Sequence, residues 1–294
     1  SNMDYVLVTY LASNAGALSY AVGEWARVWP LSAIIRAMGA YFIRRKSRGE
    51  LYRRVLARYV HLATQAGVTQ AMFPEGGLSL DGKLAPPKLG LLKYIADGYE
   101  EGGRDVLFVP VALNYDRVLE DRILMAAGAA GTRRFRARIS VVAGFFMKQL
   151  WLRVIGRFHR FGYAAVSFGP PVSLRAHAHE KGVPDAEDLA TELMDKIADI
   201  VPVVPVPLLA TVMLANPSCA KSELPELMQR QIDHMGSAYV HLPRDDIGYA
   251  AEIALKHLCE RRILRVEAGQ VVADEDQRPA LSYYANSIAH LIQK

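Results

Sequence analysis

Apolar and polar positions switch between helical and strand-like spacing along the first 116 residues. DYVLVTYLAS, from Asp4, predicts a first helix, and SYAVGEW and AYFIR predict strands. GELYRRVLARYVHLATQAG predicts a long amphipathic helix with Leu51, Val55, Tyr59 and Leu62 as its apolar face. QAMFPEGG reads as a strand running into a loop, and LGLLKYIADGYEEGG as a helix with a glycine stop. VLFVPVALNY is an unbroken apolar run of strand length, as expected of a strand buried on both faces. This alternation predicts an α/β fold with a mostly parallel central sheet flanked by helices.

FGYAAVSFGPPVSL predicts a last strand of that core. Beyond it the pattern is mainly helical: DAEDLATELMDKIADI, SELPELMQRQIDHM and DDIGYAAEIALKHLCERR, then a hairpin, ILRVEAGQVVA, and a final helix. A division into 1–184, a basic core, and 185–294, an acidic and mainly helical C-terminal region, follows. Charge supports it. Residues 1–184 hold 25 Lys and Arg against 13 Asp and Glu, a balance of +12, whereas residues 185–294 hold 10 against 17, a balance of −7. The first part therefore attracts anions. Half the chain is hydrophobic (51%) and 22% is charged, which predicts a globular protein.

Cys219 and Cys259 lie far apart without metal-type spacing, which fits a reduced, intracellular setting. No signal peptide is read at the start, and no apolar run reaches the roughly 18 residues of a membrane span. The nearest, VPVVPVPLLATVMLA, is interrupted by three prolines.

Residues 133–160 are unlike either part. They hold eight basic residues and no acidic one, interleaved with VVAGFFM, Leu150, Trp151, Leu152, Val154, Ile155 and Phe158. Cations mixed with aromatic and aliphatic side chains suit an anionic membrane surface. A core helix with one solvated basic face is the plainer alternative.

Chemistry-bearing residues gather at two predicted strand ends. In FPEGGLSLDGKLAPPKLGLL, Glu75 precedes Gly76 and Gly77, whose bare backbone N–H groups can accept an anion. Ligands of α/β sheets bind at the carboxyl ends of strands. GAYFIRRKSRGELY ends another strand with Arg44 and Arg45, whose guanidinium forks suit phosphate oxygens. A tight turn with a surface glutamate, and arginines facing water, are the ordinary alternatives.

AMGAYFIRR, FPEGGLSLDGKLAPPKLGLL and FVPVALNYDRVLED, in this order, resemble the glycerol-3-phosphate and dihydroxyacetone-phosphate acyltransferase family, and YYANSIAH resembles its C-terminus. The resemblance covers nearly the whole chain. It implies an enzyme: an O-acyltransferase moving a fatty acyl group from a thioester, acyl-CoA or acyl-carrier protein, to glycerol-3-phosphate or a related phosphorylated alcohol, at the start of phospholipid synthesis. It implies no cofactor and no metal. The expected location is cytoplasmic, peripheral on the membrane's cytoplasmic face.

The family's first motif is His-x4-Asp, with the His as general base and the Asp orienting it. SNMDY matches the motif's end, so the resemblance gives Asp4 the orienting role. The His falls two positions upstream of Ser1, outside the sequence, and the 294-residue polypeptide is expected to be inactive without it. Gly39, Phe42 and Arg44 or Arg45 match the phosphate-binding second motif. Phe73, Pro74, Glu75 and Gly76 match the third, with Gly77, Ser79 and Lys83 joining the substrate-binding set. Val109 and Pro110 match the fourth, a shaping element of the acyl site.

Two positions depart from the family pattern: Leu78 and Leu80 stand where basic residues are usual. Lys83 and Lys88 are candidate substitutes. The departure keeps two alternatives open, a non-catalytic lipid-surface scaffold and acylation of lysophosphatidate. His241 and Asp246 share the His-x4-Asp spacing but lie after the other motifs, so they are read as incidental. The helix–helix–hairpin near 246–273 has the order of a winged helix, yet the negative balance there opposes nucleic-acid binding.

Overall fold

A computed structural model describes residues 3–13, 16–23, 33, 41–43, 49–131 and 162–292. The chain divides into two compact units that interleave in sequence, where charge alone divides it once after residue 184. Unit 1 comprises Ser1–Leu78, Leu84–Ala112 and Val166–Ile200; unit 2 comprises Ser79–Lys83, Leu113–Ala165 and Val201–Lys294. The fold is mixed α/β with small sheets.

Unit 1 opens with helix α1 (Asp4–Ala12), followed by strands β1 (Ser19–Gly23) and β2 (Tyr41–Ile43), helix α2 (Glu50–Gln65) and strand β3 (Gln70–Ala71). These three strands form a sheet of order β2-β1-β3 in which both pairings are parallel, with Tyr20 opposite Ala71 and Ala21 opposite Tyr41. Their carboxyl ends therefore share one edge. Helix α3 (Gly90–Ala96), the short strands β4 (Leu107–Phe108) and β7 (Val172–Ser173), and helices α5 (Leu174–Lys181) and α6 (Ala186–Asp199) complete the unit. Its core joins Val60, Leu92, Ile95, Leu174 and Leu189, with Leu56, Met72 and Leu193 packed against them. Asp185 caps α6 by accepting from the N–H groups of Glu187 and Asp188.

Four expectations differ from the structure. The expected apolar face of α2 is not the buried one: Leu51 is 77% and Val55 59% exposed, and Tyr59 and Leu62 are also exposed, whereas Val60 is 1% exposed. Leu56 and Val60, four residues apart, turn toward the core instead. The run VLFVPVALNY is not one strand. Val109 and Pro110 break it into antiparallel β4 and a separate β5 (Val111–Tyr115), because proline has no ladder donor. Leu107 and Val109 face solvent. The predicted last strand is broken likewise, into β6 (Ala164–Phe168), which pairs with β5, and β7. Among the described residues these strands fall into separate small sheets, β2-β1-β3 parallel, β4-β7 antiparallel and β5-β6 as a further pair, and the expected single, mostly parallel central sheet is not seen.

Unit 2 is built around helix α7 (Pro205–Ala215), whose Leu208, Leu209, Ala210, Val212 and Met213 are buried. Pro205 and Pro207 lie in its first turn, where no N–H is needed, and Pro202 precedes it, so the last eleven residues of the segment that looked interrupted form one continuous helix. Burial of each large side chain contributes roughly 1.5–3 kcal/mol. Around it stand α4 (Asp121–Ala129), α8 (Leu224–His234), α9 (Ile247–Glu260) and α10 (Arg278–Asn286), with α11 (Ala289–Ile292) at the end. β8 (Ser218–Ala220), β9 (Leu264–Glu267) and β10 (Gln270–Ala273) form an antiparallel sheet of order β8-β10-β9. The helix–helix–hairpin order expected from the sequence is present.

Among the described residues, no helix is long and apolar enough to cross a membrane. The basic segment 133–160 lies outside the described residues.

Candidate functional site

Asp4 stands in the first turn of α1, where a carboxylate complements the helix dipole. Its neighbour Tyr5 meets two other rings. Tyr5 and Phe73 contact edge-on with centroids 4.6 Å apart, and Tyr5 and Tyr20 at 5.4 Å. Tyr20 is buried, and burial pushes its hydroxyl above the usual tyrosine range. This ring cluster ties the start of α1 to the chain leaving β3, one residue past Asp4 on one side and two before Glu75 on the other.

The Glu-Gly-Gly corner is a closed turn. Gly76 N–H donates to Phe73 O at 3.0 Å, with Gly76 at φ +65°. Glu75 Oε2 accepts from Ala85 N–H at 2.7 Å, and Pro74 O accepts from Lys88 N–H at 2.7 Å. A Cβ at Gly76 would stand 2.7 Å from Lys88 Cγ, so the Lys88 stem lies directly over the corner. The Glu75 carboxylate thus holds the following loop. Lys88 carries a cationic side chain whose stem crosses this corner.

Ser79 and Lys83 lie on a loop of unit 2. Lys83 N–H donates to Asp81 Oδ1 at 3.1 Å, and Ser79 Oγ lies 2.8 Å from Lys83 O and 3.2 Å from Asp81 Oδ1. Asn286 Nδ2 donates to Asp81 O at 2.8 Å.

Arg44 and Arg45 follow the last residue of β2 in sequence and lie outside the described residues, as does Gly39. Val109 is exposed, while Pro110 O accepts from Gly169 N–H at 2.8 Å. Asp246 caps α9 by accepting from Tyr249 N–H at 3.0 Å, and His241 N–H donates to Val203 O; the spacing they share reflects a helix cap rather than a base. Among the described residues, no group of three or more His, Cys, Asp or Glu is placed to hold a metal ion.

Two buried carboxylates in unit 2 escaped the sequence reading. Asp116 accepts from Val206 N–H at 2.8 Å and Tyr163 N–H at 2.9 Å, joining the end of β5 to the start of α7. Its burial pushes its carboxyl up to about 6, against the pull of those two bonds. Asp121 pairs with Arg261 and accepts from the Tyr284 hydroxyl. Both aspartates lie in NYDRVLED and Tyr284 in YYANSIAH, so the motifs were the available signal.

A family profile described as "Acyltransferase" matches residues 1–114, and one described as "Glycerol-3-phosphate acyltransferase C-terminal region" matches residues 150–293. Over both stretches the chain is similar to glycerol-3-phosphate acyltransferases. Similar relatives named glycerol-3-phosphate acyltransferase come from Pseudoalteromonas atlantica (26% identical), Shewanella oneidensis (28%) and Aeromonas hydrophila (28%). Each alignment covers 99% of this chain and 38% of the relative, so the chain spans under two fifths of the length of these acyltransferases. Within the family frame, Leu78 is the last residue of its unit 1 segment, and Leu80 sits in the unit 2 loop with its carbonyl against Gly128.

Proposed function

We propose that the chain carries the catalytic part of an O-acyltransferase that moves a fatty acyl group from acyl-CoA or acyl-carrier protein to glycerol-3-phosphate, in phospholipid synthesis. The observation that carries this reading is the contact between Tyr5 and Phe73, which brings the Asp4 motif and the Glu-Gly-Gly motif together in one unit. The parallel strands β1, β2 and β3 add support. Chain carrying Arg44 and Arg45 and chain carrying Glu75 both follow strands whose carboxyl ends share an edge. We take these strands as the centre of the expected parallel sheet.

In the proposed reaction the acceptor hydroxyl attacks the thioester carbonyl. A new C–O ester bond forms, the C–S bond breaks, and the thiolate leaves and takes a proton. The hydroxyl proton passes to a histidine five positions before Asp4, whose tautomer Asp4 fixes. Arg44, Arg45 and Lys88, with the N–H group of Gly77, hold the phosphate, the Gly76 N–H being taken by Phe73 O; the family resemblance adds Ser79 and Lys83 as further acceptor-binding residues. No cofactor is needed, because the thioester itself supplies the activated acyl group. Residues 133–160 are proposed to seat the protein peripherally on the anionic cytoplasmic face of a membrane.

The test is thioester release, followed by thiol titration, with a polypeptide that includes His-x4-Asp. Release that depends on glycerol-3-phosphate, and falls at least about hundredfold in Asp4→Ala, supports the proposal. Release dependent only on lysophosphatidate shifts the acceptor, and no acceptor-dependent release favours a lipid-surface scaffold.

A further inference from the structure

The loop Ser79–Lys83 is fixed from outside itself. Its internal bonds, Lys83 N–H and Ser79 Oγ to Asp81 Oδ1 and Ser79 Oγ to Lys83 O, shape a tight turn but leave that turn free to swing as a body. Two elements of unit 2 hold it in place. On α4, Gly128 leaves room for the Leu80 carbonyl, which would stand 3.2 Å from a Cβ at that position. On α10, Asn286 Nδ2 donates to Asp81 O at 2.8 Å. Gly82 lies so close to α10 that a Cβ there would fall 1.8 Å from Tyr283 O, and its φ of +86° also belongs to glycine.

The anchor itself is rigid. The helix carrying Tyr283 and Asn286 is pinned next door by the Tyr284 hydroxyl, which donates to Asp121 Oδ2 and accepts from Arg261. Three residues past Tyr284, Ser287 Oγ lies 3.1 Å from Asn114 Nδ2, which also donates to Pro202 O. The segment YYANS therefore grips NYDRVLED with Tyr284 and Ser287 while offering Asn286 and the Tyr283 carbonyl to the loop.

We infer that Asn286 is a positioning residue: with Tyr283 and Gly82 it clasps the Ser79–Lys83 loop and presents Ser79 and Lys83 to the acceptor's phosphate. This deepens the acyl-transfer reading above and rests on it for the ligand. The chemistry requires an amide. Asp81 offers a carbonyl oxygen, so the partner must donate; a carboxylate of the same shape cannot, and it would repel that oxygen. A loop ordered before the ligand arrives spares the ordering entropy that binding would otherwise have to meet, so the clasp should act on acceptor affinity rather than on the chemical step.

The experiment uses the His-x4-Asp-containing polypeptide, unsubstituted and as Asn286→Ala and Asn286→Asp, with two readouts. Hydrogen exchange followed by mass spectrometry on peptides spanning 79–88 should speed up at least about tenfold in both variants, with peptides of α7 unchanged. Acyl transfer should show KM for glycerol-3-phosphate raised about three- to tenfold with kcat within about twofold. Asn286→Asp should be at least as impaired as Asn286→Ala. Unchanged exchange at 79–88 overturns the clasp. Faster exchange with unchanged KM overturns its role in acceptor binding, and so does an Asn286→Asp enzyme with normal KM. If the unsubstituted protein shows no acceptor-dependent transfer, the acyl-transfer reading and the loop's acceptor role fall together; the exchange data then still report separately whether Asn286 holds the loop.

Discussion

The Tyr284 hydroxyl donates to Asp121 Oδ2 across 2.5 Å, joining residues 163 positions apart. Arg261 reaches both groups, at 2.7 Å to the hydroxyl, and Val118 N–H adds a bond to the hydroxyl. A buried carboxylate in such a network is fully engaged, and removing one partner exposes the others to an unmet cost. Tyr284→Phe should lower unfolding stability by about 1.5–3 kcal/mol. Arg261→Ala, which strands the buried Asp121 charge, should cost about 3–5 kcal/mol. Urea denaturation of the two variants checks the order; equal and negligible effects would show that the network contributes no stability.

Asp116 gives unit 2 a pH dependence of unusual sign. Its folded carboxyl titrates at about 6 because burial disfavours the charged form, so between about pH 4 and 6 the folded chain binds a proton that the unfolded chain does not. Its contribution to stability therefore rises as pH falls through that window, by up to about 3 kcal/mol. Asp116→Asn has no such titration. The lowered carboxyls of Asp105 and Glu192 act in the opposite sense but are common to both proteins. The stability of wild type minus variant should therefore grow from pH 7 to pH 4, as read by thermal denaturation across pH. A flat difference would mean that Asp116 is not buried as described.

Two valines on one helix separate the observed packing from the expected one. Val60→Ala empties a core position and should cost roughly 1.5–3 kcal/mol. Val55→Ala alters an exposed site and should stay within about 0.5 kcal/mol. Chemical denaturation of the pair measures the contrast, and the reverse order would restore the face expected from spacing.

The hairpin of β9 and β10 turns through Ala268 (φ +49°) and Gly269 (φ +81°). Two central residues with positive φ match the turn that favours Asn-Gly, and alanine is strained there. Ala268→Asn should raise stability by about 0.5–1 kcal/mol, seen as a higher melting temperature. A lower one would place the strain elsewhere.

Glu75 should act through the loop that it holds. Glu75→Gln keeps an acceptor for Ala85 N–H, whereas Glu75→Ala does not. In the acyl-transfer assay, Glu75→Ala is expected to raise KM for glycerol-3-phosphate about tenfold. Glu75→Gln should recover much of that loss; equal impairment of both would point to a need for the charge itself.

The sequence was legible where local chemistry is self-sufficient. The stretch DAEDLATELMDKIADI, read as helical, is α6, and ILRVEAGQVVA, read as a hairpin, is β9 and β10. The Glu-Gly-Gly corner was legible as a turn at a strand end, and Gly76 has the left-handed conformation that such a turn needs. Spacing misled on α2 because both candidate stripes are apolar, and only the neighbours choose between them. The strands misled because Pro110 and the Gly169-Pro170-Pro171 break interrupt ladders within otherwise continuous apolar text.

By itself the sequence determined the helix and strand types and the turn chemistry, which are set by residues within a few positions of one another, and the charge division and the order of motifs, which need no folded chain to be read. Tertiary structure alone decided which face of α2 is buried, that the Glu75 carboxylate holds Ala85, and that Asn286 and Tyr284 reach back to Asp81 and Asp121. Those contacts join groups between 10 and 205 positions apart. Hydrogen-bond partners and packing neighbours at such separations depend on how the chain folds back on itself, and no local pattern encodes that.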